Sequence, residues 1–183
     1  MARLGLDEIW WLVSPGNPLK DGRADMAPYA ARFASAQRMA RGTRIRVSDF
    51  EARAGTRYTV NTVAALARRY PKARFIWLMG ADIPGEFHRW RGWRRLARTI
   101  PIAVVVRPGY AGLVGASPAA AWLRRFVRPA ASARDWTRWS LPAIVPLTLA
   151  PDPSSATAIR RADPDWQSRF LKPISPLPEH EPA

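Results

Sequence analysis

The stretch Thr59-Val-Asn-Thr-Val-Ala-Ala-Leu-Ala-Arg-Arg-Tyr70-Pro71-Lys-Ala-Arg74-Phe-Ile-Trp-Leu-Met79-Gly-Ala-Asp82 decides the fold. Its first half has helical spacing. Val60, Val63, Ala64 and Ala67 fall on one stripe, Thr59 is placed to cap the helix, and Pro71 stops it near Tyr70. Its second half, Arg74 to Met79, is a near-continuous apolar run of strand length, closed by Gly80-Ala81-Asp82. An apolar run without alternation predicts a strand buried on both faces, the pattern of a parallel sheet covered by helices.

The same alternation extends in both directions. Glu8 to Val13 reads as a buried strand ending in the turn Ser14-Pro15-Gly16-Asn17-Pro18. Ala27 to Ala40 has helical spacing, with Tyr29, Phe33, Ala36 and Met39–Ala40 on one side. Thr43 to Val47 is a short strand. Trp90 to Arg98 reads as helix, and Ile102 to Val106 as a strand that runs into the turn Arg107-Pro108-Gly109. Ala119 to Val127 reads as helix. Ala143 to Leu149 is a last strand, and Pro146 marks it as an edge because proline has no ladder donor. A short helix follows from Ser155. The expected fold is therefore α/β, a Rossmann-like parallel sheet with helices on both faces, in one domain over residues 1–170. The Pro-rich residues 171–183 read as a disordered tail.

Composition removes several classes of function. At 183 residues, 48% of them hydrophobic and nine of them Trp, the chain is long and apolar enough for a full core. With no Cys, disulfides, thiolate chemistry and thiolate-held zinc are excluded. Only His88 and His180 are present, so a multi-histidine metal site is excluded as well. The run Ile100 to Val106 is far too short to span a membrane, and Met1-Ala-Arg-Leu-Gly-Leu-Asp-Glu8 has no signal-peptide pattern, so a cytoplasmic protein is expected. The net charge of +15 is almost all arginine; lysine contributes only Lys20, Lys72 and Lys172. That charge has two readings, compositional drift or a surface that faces polyanions. No aromatic–basic interleaving of an RNA-binding sheet, zinc finger or helix-turn-helix pattern accompanies it.

In parallel α/β sheets ligands gather at the carboxyl ends of the strands. The turns there carry Lys20, Asp82, Arg107 and the start of the last helix, Ser154-Ser155-Ala156-Thr157-Ala158-Ile159-Arg160. Hydroxyls at a helix start lie beside free backbone N–H groups, and the helix dipole favours an anion there. Arg160 adds a planar fork for phosphate oxygens. The bland reading of the same residues is a capped surface helix with a solvated arginine.

Six segments in order resemble the bacterial nicotinate-mononucleotide adenylyltransferases. They are Trp11-Leu-Val-Ser-Pro-Gly-Asn-Pro-Leu-Lys20, Tyr58-Thr59, Gly80-Ala-Asp82, Phe87-His-Arg-Trp90-Arg-Gly-Trp93, Arg107-Pro-Gly-Tyr110 and Ser155-Ala-Thr157-Ala-Ile-Arg160. The resemblance covers about residues 4–162. It implies transfer of AMP from ATP to nicotinate mononucleotide, with Mg2+ accompanying ATP, by positioning and charge neutralisation. It places Tyr58, Thr59, Trp90 and Lys20 at the pyridine nucleotide, with the Trp90 ring stacked on the nicotinate. It places Asp82, Arg107, Ser155, Thr157 and Arg160 at ATP. Trp93 reads as core, and His88 carries no assigned chemistry. The implied partners are the two nucleotides, with no membrane and no nucleic acid; a homo-oligomer is left open.

Two departures stand beside the resemblance. Leu19 occupies the place where family members often carry a histidine before the lysine. The family's first strand, glycine-containing turn and His-x-Gly-His helix have no counterpart here, so no catalytic residue is assigned. On this reading the sheet lacks its first central strand and first helix, and these 183 residues alone are expected to show little or no turnover. A start site placed too late and a truncated gene are the two explanations. A nucleotidyltransferase acting on phosphopantetheine, and a non-catalytic nucleotide- or RNA-binding module or inactive remnant, are the alternative functions.

Overall fold

The computed structural model describes residues 1–16, 27–81, 83–106, 117–148 and 161–170. In chain order these form β1 (Ile9–Leu12), α1 (Tyr29–Ala40), β2 (Ile45–Ser48), α2 (Phe50–Arg53), α3 (Thr59–Arg69) and β3 (Trp77–Gly80). Then follow α4 (Ile83–Glu86), α5 (Trp93–Thr99), β4 (Ile102–Val106), α6 (Pro118–Leu123) and β5 (Ile144–Thr148). Short 3-10 helices occupy Phe87–Arg89, Arg124–Phe126, Ala130–Arg138 and Trp166–Phe170. None of the described helices is long and apolar enough to cross a membrane.

Every strand pair is parallel, as the buried apolar runs predict. The strands form two sheets, β1–β2 and β3–β4–β5. The chain divides correspondingly into two units. Residues 1–6 and 58–148 carry the three-stranded sheet; residues 7–57 and 161–170 carry the two-stranded one.

In the three-stranded sheet β4 is central. Its Ile102, Ala103 and Val104 are fully buried, and its side chains divide between two cores by the period-2 alternation of a strand. Ile102 and Val104 join Ile144, Leu96, Ala97, Phe87, Trp93 and Leu123 on the face covered by α3, α5 and α6. Ala103 joins Val145, Leu147, Leu4, Ala133 and Trp136 on the other face. That second face is closed by the 3-10 helix Ala130–Arg138 and by the first residues of the chain. The buried indole N–H of Trp136 donates to the Leu4 carbonyl at 2.9 Å. Pro146 sits within β5 opposite Val104 of β4. Among the described residues the other edge of β5 is met only at its start, where Val127 bridges Ile144 and the Arg128 N–H donates to the Ile144 carbonyl at 2.7 Å, so the edge position read from the proline is observed at Pro146 itself.

The second unit is thinner. β1 pairs with β2 from Ile9↔Ile45 to Leu12↔Ser48, and α1 lies against β2 and against the Trp166–Phe170 turn. Arg32 on α1 donates to the carbonyls of Ser14 and Pro15, which ties the helix to the end of the β1 segment.

Several expectations are corrected. The strands of Glu8–Val13 and Arg74–Met79 are not buried on both faces: Trp11 is 39% exposed, and of β3 only Met79 is fully buried. Among the described residues each has a parallel neighbour on one edge only, which leaves part of its apolar surface uncovered. Thr59 is the first residue of α3 rather than its cap; Tyr58, in extended conformation, holds that place with no side-chain cap bond. The helix expected over Trp90–Arg98 begins only at Trp93, because Gly92 adopts a left-handed conformation (φ 65°) that a helix cannot continue through. The helix expected over Ala119–Val127 is α6 followed by a tighter 3-10 turn. The helix from Ser155 and the tail 171–183 lie outside the described residues.

Candidate active site

The site grows from the first turn of α3. Asn61 and Thr62 donate their backbone N–H groups to the Tyr58 carbonyl at 2.8 and 3.1 Å, and the Thr62 hydroxyl also donates to it. These bonds start the helix and hold Tyr58 just outside it, with the Tyr58 and Thr59 side chains half-buried. A helix start of this kind presents backbone N–H groups and the positive end of the dipole.

Against it lies the turn Trp90-Arg91-Gly92. The Arg91 guanidinium stacks over the Tyr58 ring at 4.8 Å. A Cβ built on Gly92 would meet the Val60 side chain at 3.5 Å, so this turn touches the first turn of α3. Trp90 is extended (φ −74°, ψ 133°) and half-buried. Its indole meets the buried Phe87 ring edge-on, with centroids 5.5 Å apart. Phe87 packs in the same way on Trp93, 5.8 Å away, so Trp90 stands on a rigid aromatic base. The structure therefore sets the turn that carries Trp90 against the helix start that carries Tyr58 and Thr59, through the Arg91–Tyr58 and Gly92–Val60 approaches, although about thirty residues of chain separate them.

Trp93 is buried in the core, as its spacing indicates. His88, between Phe87 and Trp90, has a buried Nδ1 with no hydrogen-bond partner among the described residues. Lys20, Asp82, Arg107, Ser155, Thr157 and Arg160 lie outside the described residues. Arg91 and Gly92 join the residues expected from the sequence as builders of this turn. The signal was present in Trp90-Arg-Gly-Trp93, where a glycine in a helix-like run marks a break. Among the described residues no group of three or more His, Asp or Glu converges as a metal site.

Parallel strands, helices on both faces and an aromatic-walled helix start define a nucleotidyltransferase-like α/β protein. Residues 1–162 match the family model described as cytidylyltransferase-like. A probable nicotinate-nucleotide adenylyltransferase of Erythrobacter litoralis is 58% identical over 93% of this chain and 77% of its own length. Another, from Parvibaculum lavamentivorans, is 50% identical over 87% of this chain and 79% of its own. Among solved structures, Plasmodium falciparum nicotinic acid mononucleotide adenylyltransferase complexed with APC matches with a TM-score of 0.56, covering 86% of this chain and 71% of that one. At 14% identity that likeness concerns the fold alone. The chain belongs to the cytidylyltransferase-like family and, within it, to the nicotinate-nucleotide adenylyltransferases.

Proposed function

We propose that this protein transfers AMP from ATP to nicotinate mononucleotide. A phosphate oxygen of the mononucleotide attacks the α-phosphorus of ATP. One P–O bond forms, the bond to the bridging oxygen breaks, and pyrophosphate leaves with the electron pair. The products are nicotinate adenine dinucleotide and pyrophosphate. No covalent intermediate on the protein is required, so the chain's work is to bind, orient and neutralise charge.

The observation that carries the pyridine half of the site is the Trp90-Arg91-Gly92 turn seated on the Tyr58–Thr59 helix start. The exposed part of Trp90 offers an aromatic face to a planar pyridine, and Thr59 offers a hydroxyl beside free N–H groups. Lys20 is proposed to assist at the mononucleotide's phosphate. Asp82 is proposed at the ribose of ATP, with Arg107, Ser155, Thr157 and Arg160 at its phosphates. Mg2+ belongs to the proposal only as the counter-ion that accompanies ATP. A cytoplasmic location is proposed with it.

The test uses the protein isolated from its native cells, given ATP with nicotinate mononucleotide, with its amide form, or with phosphopantetheine. Dinucleotide formation from the nicotinate form at a kcat/KM at least tenfold above the others supports the reading. A preference for phosphopantetheine, or no product from any acceptor, overturns it. Trp90→Ala is expected to raise KM for the mononucleotide about tenfold or more, as the loss of one stacking face does, while KM for ATP stays near that of the parent.

A further inference from the structure

The positive charge is not spread evenly. The described residues of the three-stranded unit hold fifteen basic and two acidic side chains, net +13; those of the other unit hold nine and six, net +3. Ion pairs between described residues, Arg46–Glu8, Arg53–Asp49 and Arg169–Asp163, belong to the second unit. The first unit thus carries a large charge with almost no carboxylate of its own to neutralise it.

Part of that charge is ordered on a row of rings. Trp93 of α5, Trp122 of α6 and Phe126 of the following 3-10 turn meet in sequence, the first pair edge-on at 87° and the second tilted at 55°, with centroid steps of 5.2 and 4.7 Å. Each ring carries a guanidinium: Arg94 over Trp93 at 4.3 Å, Arg98 over Trp122 at 5.5 Å, Arg125 over Phe126 at 5.6 Å. All three arginines are exposed, and among the described residues none of them pairs with a carboxylate. A guanidinium resting on a ring loses freedom but keeps its N–H edge, so the edge can donate to phosphate while its outer face stacks on a base. This is the aromatic–basic interleaving that no single strand of the sequence contains. It arises only when α5 and α6 pack together.

We propose that this arginine-plated row, Arg94, Arg98 and Arg125 on Trp93, Trp122 and Phe126, is a binding surface for single-stranded nucleic acid. An unneutralised basic face fits any polyanion by charge alone. The plates select one with flat faces as well as phosphates, which a lipid headgroup surface lacks. The row adjoins the candidate site, since Phe87 packs on both Trp90 and Trp93, but its arginines are not among the residues proposed for the nucleotides, so the test below separates the two readings.

The test is fluorescence anisotropy of the full chain with a labelled oligouridylate of about 15 nucleotides. Three phosphate contacts set a log–log salt slope of about −2 or steeper, so affinity falls roughly 20-fold between about 50 and about 200 mM salt. The triple variant Arg94→Gln, Arg98→Gln, Arg125→Gln is expected to take about 2 off that slope and to bind at least tenfold more weakly at low salt. The matching triple lysine variant, which keeps charge and removes the plates, keeps the slope and still loses affinity several-fold. Circular dichroism of both variants matching the parent keeps the comparison valid. Saturating nicotinate mononucleotide leaves the oligonucleotide bound. No binding at low salt overturns the proposal, as does a glutamine variant that binds like the parent. Equal affinity for polyphosphate of the same charge, or binding to anionic vesicles without binding to the oligonucleotide, overturns it too.

Discussion

β4 and β1 are both apolar runs of strand length, yet they end in different surroundings. β4 has parallel neighbours on both edges and cores on both faces, and its Ile102, Ala103 and Val104 are fully buried. β1 is paired on one edge among the described residues, and Trp11 within it is 39% exposed. An apolar run therefore states what a strand can bury, not what covers it. The same contrast appears in charge. Among the described residues the well-packed unit carries most of the excess positive charge, while the thinner unit balances much of its own.

The largest effect that separates the two sheets is cavity formation. Ile102→Ala is expected to cost about 2–5 kcal/mol, since the fully buried side chain leaves a void. Ile9→Ala, in a half-buried place on β1, should cost about 1 kcal/mol, because only part of its surface leaves water on folding. Denaturant unfolding of the two variants measures this, and equal losses would break the contrast.

Next in size is the seal on the second face of the three-stranded sheet. Trp136→Phe removes the donor to the Leu4 carbonyl and leaves that carbonyl buried without its partner. The expected loss is about 1–3 kcal/mol. Hydrogen exchange should show residues 1–6 opening first. If their protection is unchanged, the opening turn is not held by this bond.

The site turn ranks third. Gly92→Ala forces a Cβ into the left-handed region, at about 1–2 kcal/mol. The added Cβ would lie at ordinary contact distance, 3.5 Å, from Val60, so the cost is in the backbone rather than in a clash. Because the turn carries Trp90 and Arg91, KM for the mononucleotide should rise more than that for ATP. A pure loss of stability with both KM values unchanged would detach the turn from the site.

The smallest effect concerns the second unit alone. Burial, and then the negative charge of Asp49, push the Tyr29 hydroxyl above its usual pKa, against the pull of Arg32. The folded chain thus disfavours the phenolate. Stability from the neutral phenol is complete below the ordinary tyrosine value of 10.0 and is lost as pH rises through the raised folded value. Stability measured from about pH 9 to about pH 11 should fall less steeply in Tyr29→Phe than in the parent. Identical slopes would mean that this hydroxyl ionises as freely as in the unfolded chain.

Much of the fold was legible because it is written in local periods. The 3.6-residue stripe of Val60, Val63, Ala64 and Ala67 and the apolar runs at Ile102–Val106 and Ala143–Leu149 become α3, β4 and β5 within a few residues. Pro146 reads as an edge because the missing donor is a property of the residue itself. The site was legible in part. The turn that carries Trp90 lies against the start of α3 through Arg91 and Gly92, yet the spacing predicts a helix straight through these two, since one glycine in an arginine-rich run weakens a helical pattern without cancelling it.

The sequence by itself determined the element types, the parallel pairing, the apolar content of β4 and the ordered motifs that mark the family. Those are properties of residue type and short spacing, and they survive any arrangement of the rest. Tertiary structure alone decided how the strands divide into two sheets, how the Trp90–Gly92 turn seats on α3, and how Arg98 of α5 comes to lie over Trp122 of α6. Such contacts join residues that are distant in the chain, and no local window of sequence carries the packing that selects them.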